Sequence, residues 1–115
     1  MDNLEIDSDG TKRWFDGNGN VHRTDGPAAI YVDGTKSWYQ HGLRHRDDGP
    51  AVEFASGHNA WWQHGSVHRD NGPAIIHADG TKEWWLNNRC LPFDEWLDKV
   101  DMSTEDKVMM KLKYG

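Results

Sequence analysis

The sequence predicts a mainly β fold, an antiparallel meander of 23–24-residue β-hairpin repeats with a short two-helix C-terminal cap. Gly10, Gly34, Gly57 and Gly80 recur at spacings of 24, 23 and 23 residues, and so do Trp14, Trp38, Trp61 and Trp84. Each of these tryptophans opens an aromatic pair: Trp14-Phe15, Trp38-Tyr39, Trp61-Trp62 and Trp84-Trp85. Three units then carry a His-Arg pair (His22-Arg23, His45-Arg46, His68-Arg69), followed by Asp25-Gly26-Pro27-Ala28, Asp48-Gly49-Pro50-Ala51 or Asn71-Gly72-Pro73-Ala74. A fixed period of this length marks stacked units, each burying its face against its neighbours.

Taken in chain order, Glu5-Ile6-Asp7-Ser8-Asp9-Gly10 matches the second strand and exit turn of a unit. Each full unit reads as two short strands. The first runs through Thr-Lys-x-Trp-aromatic to a turn such as Gln40-His41-Gly42. The second follows the Gly-Pro corner, as in Ala28-Ala29-Ile30-Tyr31-Val32 or Ala74-Ile75-Ile76-His77-Ala78. Asp33-Gly34 and Asp79-Gly80 then turn the chain into the next unit, a strong hairpin signal. In the Asp-Gly-Pro-Ala corner Asp is expected to accept backbone N–H bonds, Gly to supply an unusual φ and Pro to fix the next one. The first unit has one extra residue, which lies within Asp16-Gly17-Asn18-Gly19-Asn20, where a loop absorbs it.

The fourth unit departs from the pattern. Asn88 stands where Gly42 and Gly65 stood, and Leu91-Pro92-Phe93 replaces the His-Arg strand. Phe93, Trp96, Leu97 and Val100 then fall at helical spacing, with Pro92, Asp94 and Glu95 suited to a first turn. Ser103 reads as the N-cap of a second helix, Asp106 completes a weak capping box, and Val108, Met109 and Leu112 supply an apolar face. The expected organisation is one domain over 1–115, with repeats over 5–88 and a helical cap over 91–114 that covers the open end of the sheet.

Composition narrows the function classes. Hydrophobic residues make up 36% of the chain and mean hydropathy is −0.93, so seven tryptophans must supply much of the burial. No apolar run approaches the roughly 18 residues of a membrane span, and Met1-Asp2-Asn3-Leu4-Glu5 lacks the form of a signal peptide. A soluble, cytoplasmic protein without a membrane partner is expected. The single Cys90 excludes an internal disulfide framework. A net charge of −6 argues against phosphate-backbone binding, so nucleic acid is an unlikely partner; a DNA mimic is the last of the readings the acidic balance leaves open.

With the unit laid out, the chain resembles MORN repeats, and more closely a MORN-like variant with a His-Arg-x-Asp-Gly-Pro-Ala signature, similar to repeats of uncharacterised tailed-bacteriophage and giant-virus proteins. The resemblance covers roughly residues 5–88. It implies a protein-binding scaffold, and for a viral product one that engages or inhibits a host protein in the host cytoplasm. It does not fix a partner, because fold does not fix function.

Catalysis and metal binding find little purchase. Units of two strands place equivalent residues about 9–10 Å apart, too far for His22, His45 and His68 to share one ion, and the same holds for His41 and His64. Only a site mixing different repeat positions escapes this argument. Cys90 beside Arg89 reads as a packing residue whose pKa Arg89 lowers slightly. No glycine-rich phosphate loop is present. The expectation is no enzyme, no cofactor and no metal.

Binding rests on two ladders. The Trp14, Trp38, Trp61, Trp84 series is expected to form the core. Phe15, Tyr39, Trp62 and Trp85, whose size varies along the stack, are the candidate contact surface. Arg23, Arg46 and Arg69 either brace their own turns or offer a row of donors to an anionic partner. The leading expectation is a non-enzymatic protein-binding module. A nucleotide sponge, clamping a host signalling nucleotide between Trp and Arg, and a self-assembling structural protein, for which a homo-oligomer is possible, are the alternatives.

Overall fold

The computed structural model describes residues 3–115; Met1 and Asp2, which open the N-terminal stretch read above, lie outside them. In chain order the elements are β1 Asn3–Ile6, β2 Lys12–Phe15, β3 Ala29–Ile30, β4 Lys36–Ser37, β5 Tyr39–Gln40, β6 Leu43–Arg44, β7 Val52–Glu53, β8 Asn59–Ala60, β9 Trp62–Gln63, β10 Ser66–Val67, β11 Ile75–Ile76, β12 Lys82–Leu86, β13 Arg89–Leu91, α1 Phe93–Lys99 and α2 Thr104–Tyr114. Nine strands form one antiparallel sheet in the order β1-β2-β3-β4-β7-β8-β11-β12-β13. The hairpins β5–β6 and β9–β10 form a second row beside it. The fold is therefore mainly β, an array of hairpins with two C-terminal helices, measuring 48 × 29 × 21 Å.

The two strands read for each unit are divided further. The first strand of units two and three breaks at its tryptophan, so that β4 and β8 belong to the sheet while β5 and β9 belong to the second row. Backbone bonding at Trp38 gives the reason. Its N–H donates to the Ala51 carbonyl at 2.7 Å, in the sheet, while its own carbonyl accepts from His45 N–H at 3.1 Å, in the second row. Trp61 repeats this with Ala74 and His68 at 2.7 and 3.1 Å. The residue hands the chain from one row to the other.

Successive hairpins of the second row are joined in register. Arg46 N–H donates to the Trp62 carbonyl at 3.3 Å and Gly65 N–H to the Arg44 carbonyl at 2.9 Å. Arg23 with Tyr39 and Gly42 with Val21 make the same pair one unit earlier, and Arg69 with Trp85 and Asn88 with Val67 one unit later. The hairpin turn needs two consecutive positive φ values, supplied by His41 at 49° and Gly42 at 86°. Asn87 at 49° and Asn88 at 70° supply them in unit four, since Asn tolerates the left-handed region. At the other turns Asp9, Asp33 and Asp79 accept from the N–H of Thr11, Thr35 and Thr81.

The core differs from the expected tryptophan ladder. Ala28, Ala51 and Ala74 are fully buried, with Ala29, Val52, Ala60 and Val67 beside them, while Trp14, Trp38 and Trp61 are half-buried. Small residues thus take the most buried positions of the sheet. Trp84 alone of its ladder is buried, in a cluster with Leu91, Trp96, Leu97 and Val100. Its ring lies 4.6 Å from Phe93, 4.7 Å from Trp96 and 5.0 Å from Tyr114.

Trp96 is completely buried, and its Nε1–H donates to the Arg69 carbonyl at 3.2 Å. α1 starts after Pro92, with Asp94 and Glu95 in its first turn. α2 is capped by Ser103, whose hydroxyl accepts from Asp106 N–H at 3.1 Å. Among the described residues no helix is long and apolar enough to cross a membrane.

Candidate functional site

The His-Arg-x-Asp-Gly-Pro-Ala segment builds one bracket three times. The guanidinium carbons of Arg23, Arg46 and Arg69 lie 4.0, 3.9 and 4.0 Å from the ring centres of Trp14, Trp38 and Trp61. Their Nε groups donate to Asp25, Asp48 and Asn71, and a second nitrogen of each donates to the carbonyl of Pro27, Pro50 or Pro73. Arg46 also pairs with Glu53 at 3.1 Å. Burial pulls the Arg69 guanidinium below its ordinary pKa. These three arginines thus hold their own turns against their own tryptophans; contrary to expectation, Asp25 and Asp48 accept from arginine side chains, and Gly26, Gly49 and Gly72 have no positive φ.

Each histidine of the motif ties its unit to the next. Nδ1 of His22, His45 and His68 accepts from the backbone N–H of His41, His64 and Asn87 at 3.0, 3.1 and 3.0 Å. An accepting Nδ1 carries no proton, so Nε2–H of His45 and His68 donates to Asp47 and Asp70.

Unit one differs: Thr24 occupies the position of Asp47, and the nearby carboxylate is Asp16, 2.9 Å from His41 Nδ1. Asp16 also accepts from Asn18 and Asn20 N–H, and these bonds, His41 first, hold its carboxyl down at about 2. Asp16, His22 and His41, drawn from different repeat positions, bring three ligand atoms within 4.8 Å of one another. The fit to a metal is poor. The imidazoles stack at 4.1 Å and 21°, so their in-plane lone pairs run side by side instead of converging. His45 and His64 lie in a related contact at 4.4 Å, tilted at 43°, with the acid Asp47 on His45 and none on His64, which marks the ring pairing as part of the repeat.

The second aromatic ladder is half-buried throughout, and the structure gathers only part of it. Tyr39 and Trp62 flank Arg44, whose guanidinium carbon is 5.6 and 5.1 Å from their ring centres. Phe15 lines a separate hollow with Asn3, Glu5 and Asp16. Trp85 donates its Nε1–H to Glu83, which also meets His77; these bonds, His77 first, lower the Glu83 pKa.

Arg44 borders two adjoining cavities between the rows of strands. One, of about 370 Å³, is lined by Trp62, Val67, Val52, Ala60, Ile75 and Phe54, with His58 and His77 at its edge. The other, of about 500 Å³, shares Arg44, Val52 and Phe54 and adds Tyr31, Val32 and Ser37. Arg23, Arg46 and Arg69 line different clefts, between successive corner turns.

Arg44 and Ser37 were not singled out in the sequence. A signal existed for Arg44: the residues preceding His22, His45, His68 and Leu91 are Val21, Arg44, Val67 and Cys90, one charge in an otherwise uncharged column.

Cys90 pairs with Trp85 across β12 and β13 and is exposed. Burial of its thiol, then the charge of Glu83, pushes its pKa up, opposite to the lowering expected from Arg89. Neither a search against family models nor a search of curated proteins finds a match to the chain.

Proposed function

We propose that this chain is a non-enzymatic binding module of the MORN-like kind that holds a protein partner on its second aromatic ladder, with a host factor as the target of a viral product. The observation that carries the reading is the Tyr39–Arg44–Trp62 stack, set over an open, mostly apolar cavity between the rows. Aromatic residues and arginine are enriched at protein interfaces and supply most of their energetic anchors. The bracket of Arg, Trp and Gly-Pro on the other ladder keeps the array rigid, which lowers the ordering cost of binding.

The test is capture from host lysate by the tagged chain, alongside a Tyr39→Ala, Trp62→Ala double variant shown by circular dichroism to be folded. One stoichiometric partner, lost with the double variant, is the expected outcome. Recovery of no partner, or equal recovery by the variant, refutes the reading.

A further inference from the structure

We propose that the cavity beside Arg44 is a binding site for a small flat anion: an aromatic ring carrying one carboxylate or phosphate group. This goes beyond the protein-partner reading and stands without it.

The first ground is the accounting of guanidinium groups. Arg13 pairs with Asp7, Arg23 with Asp25, Arg46 with Asp48 and Glu53, and Arg69 with Asn71 and Pro73. Arg44 is equally half-buried, yet among the described residues its guanidinium has neither an ion-pair nor a hydrogen-bond partner, and its Nε is fully enclosed. A buried donor without an acceptor costs stability, and more so on a charged group. The other enclosed side-chain polar atom without a partner, among the described residues, is the hydroxyl of Ser37, which is 1% exposed. Both residues line the cavity of about 500 Å³; Arg44, but not Ser37, also borders the adjoining cavity of about 370 Å³. A guanidinium without an acid, bordering both cavities, points to an acceptor brought from outside.

The second ground is shape and lining. A hollow of about 370 Å³ lined by Trp62, Phe54, Val52, Ala60 and Ile75 has the apolar character and few polar groups of a small-ligand site. The indole of Trp62 and the ring of Phe54 offer faces or edges to a flat ring. The guanidinium is already held between Tyr39 and Trp62, so little side-chain freedom is lost when an anion meets it. The net charge of −6 disfavours polyanions at the surface and so selects a ligand with one anionic group.

Isothermal titration of the full chain with indole-3-carboxylate and with AMP, each against its uncharged counterpart, indole or adenosine, tests the assignment. At least one anion is expected to bind one to one, about tenfold or more tighter than its uncharged counterpart, as a charge-assisted bond requires. Indole-3-carboxylate alone identifies a carboxylate ligand, and AMP alone a nucleotide. Arg44→Met, if folded, is expected to abolish the discrimination. In the wild-type chain the Arg44 Nε–H and Trp62 indole resonances should shift on titration, a readout that needs no variant. The proposal is overturned if neither anion binds at about 1 mM, if charged and uncharged probes bind alike, if the Arg44 resonance stays still, or if a folded Arg44→Met binds as the wild type does.

Discussion

Replacing the corner glycines by alanine provides a graded test of the Arg–Trp bracket within one chain. A Cβ built at Gly26 would lie 3.3 Å from the guanidinium carbon of Arg23; at Gly49 it would lie 3.1 Å from that of Arg46, and at Gly72 2.8 Å from that of Arg69. None of the three glycines has a positive φ, so alanine meets no backbone penalty and gains about 0.4–1 kcal/mol by restricting the unfolded chain. At Gly26 the side chain fits with a shift of a few tenths of an ångström, and the net change should lie within about 1 kcal/mol of zero.

At Gly72 the Arg69 guanidinium must shift to clear the new Cβ. The shift weakens, and at most forfeits, a cation–π contact of about 0.5–2 kcal/mol and bonds to Asn71 and Pro73 of about 0.5–1.5 kcal/mol each. Offset by the unfolded-state gain, Gly72→Ala should be the most costly of the three, by up to about 4 kcal/mol, with Gly49→Ala between the two. Urea unfolding followed by circular dichroism measures the series, with an unchanged m-value as the check on two-state behaviour. Equal effects at the three sites, or stabilisation at Gly72, would refute the idea that the packed guanidinium sets the corner.

Trp96→Ala should cost about 3–5 kcal/mol in the same assay, because it leaves a cavity against Trp84 and removes the bond to the Arg69 carbonyl; a loss below about 1 kcal/mol would mean that the helices do not cover Trp84. For Asp16, the fold lowers the carboxyl from 3.8 to about 2, favouring the ionised form. Its contribution is fully present above the ordinary value and disappears as pH falls through about 2. Asp16→Asn should therefore flatten the acid dependence of stability between those two values, and an unchanged profile in acid titrations of the two proteins would count against the His41 contact.

The repeat was legible because identical local demands recur. Asp33-Gly34-Thr35 needs Asp to meet a backbone N–H, and the Phe93, Trp96, Leu97, Val100 stripe fits a helix wherever it packs. The break at Trp38 and Trp61 was not legible, since an aromatic residue after Thr-Lys-x satisfies a continuous strand as well as a crossover; only the bonding of its two backbone groups to different rows decides between them. The division of the ladders misled for a related reason. Alternation assigns Trp38 and Tyr39 to opposite faces, but a tryptophan at a crossover lies against an arginine and leaves the deepest positions to Ala51 and Val52. Arg44 shows in the sequence only as the one charge in its repeat column; that its guanidinium lacks an acid is visible only in the fold.

The tie from each motif histidine to the following turn gives the stack a direction. Every joint has an imidazole nitrogen on its upstream side and an amide hydrogen on its downstream side, so any unit mates with any successor of the same build. An extra 23-residue module spliced between Arg46 and Arg69 would find both mating surfaces ready, and the array could lengthen without redesign of its ends. Leu91, in the place of a fourth imidazole, offers nothing to a further amide. A single side chain closes the series there, and the helices take over.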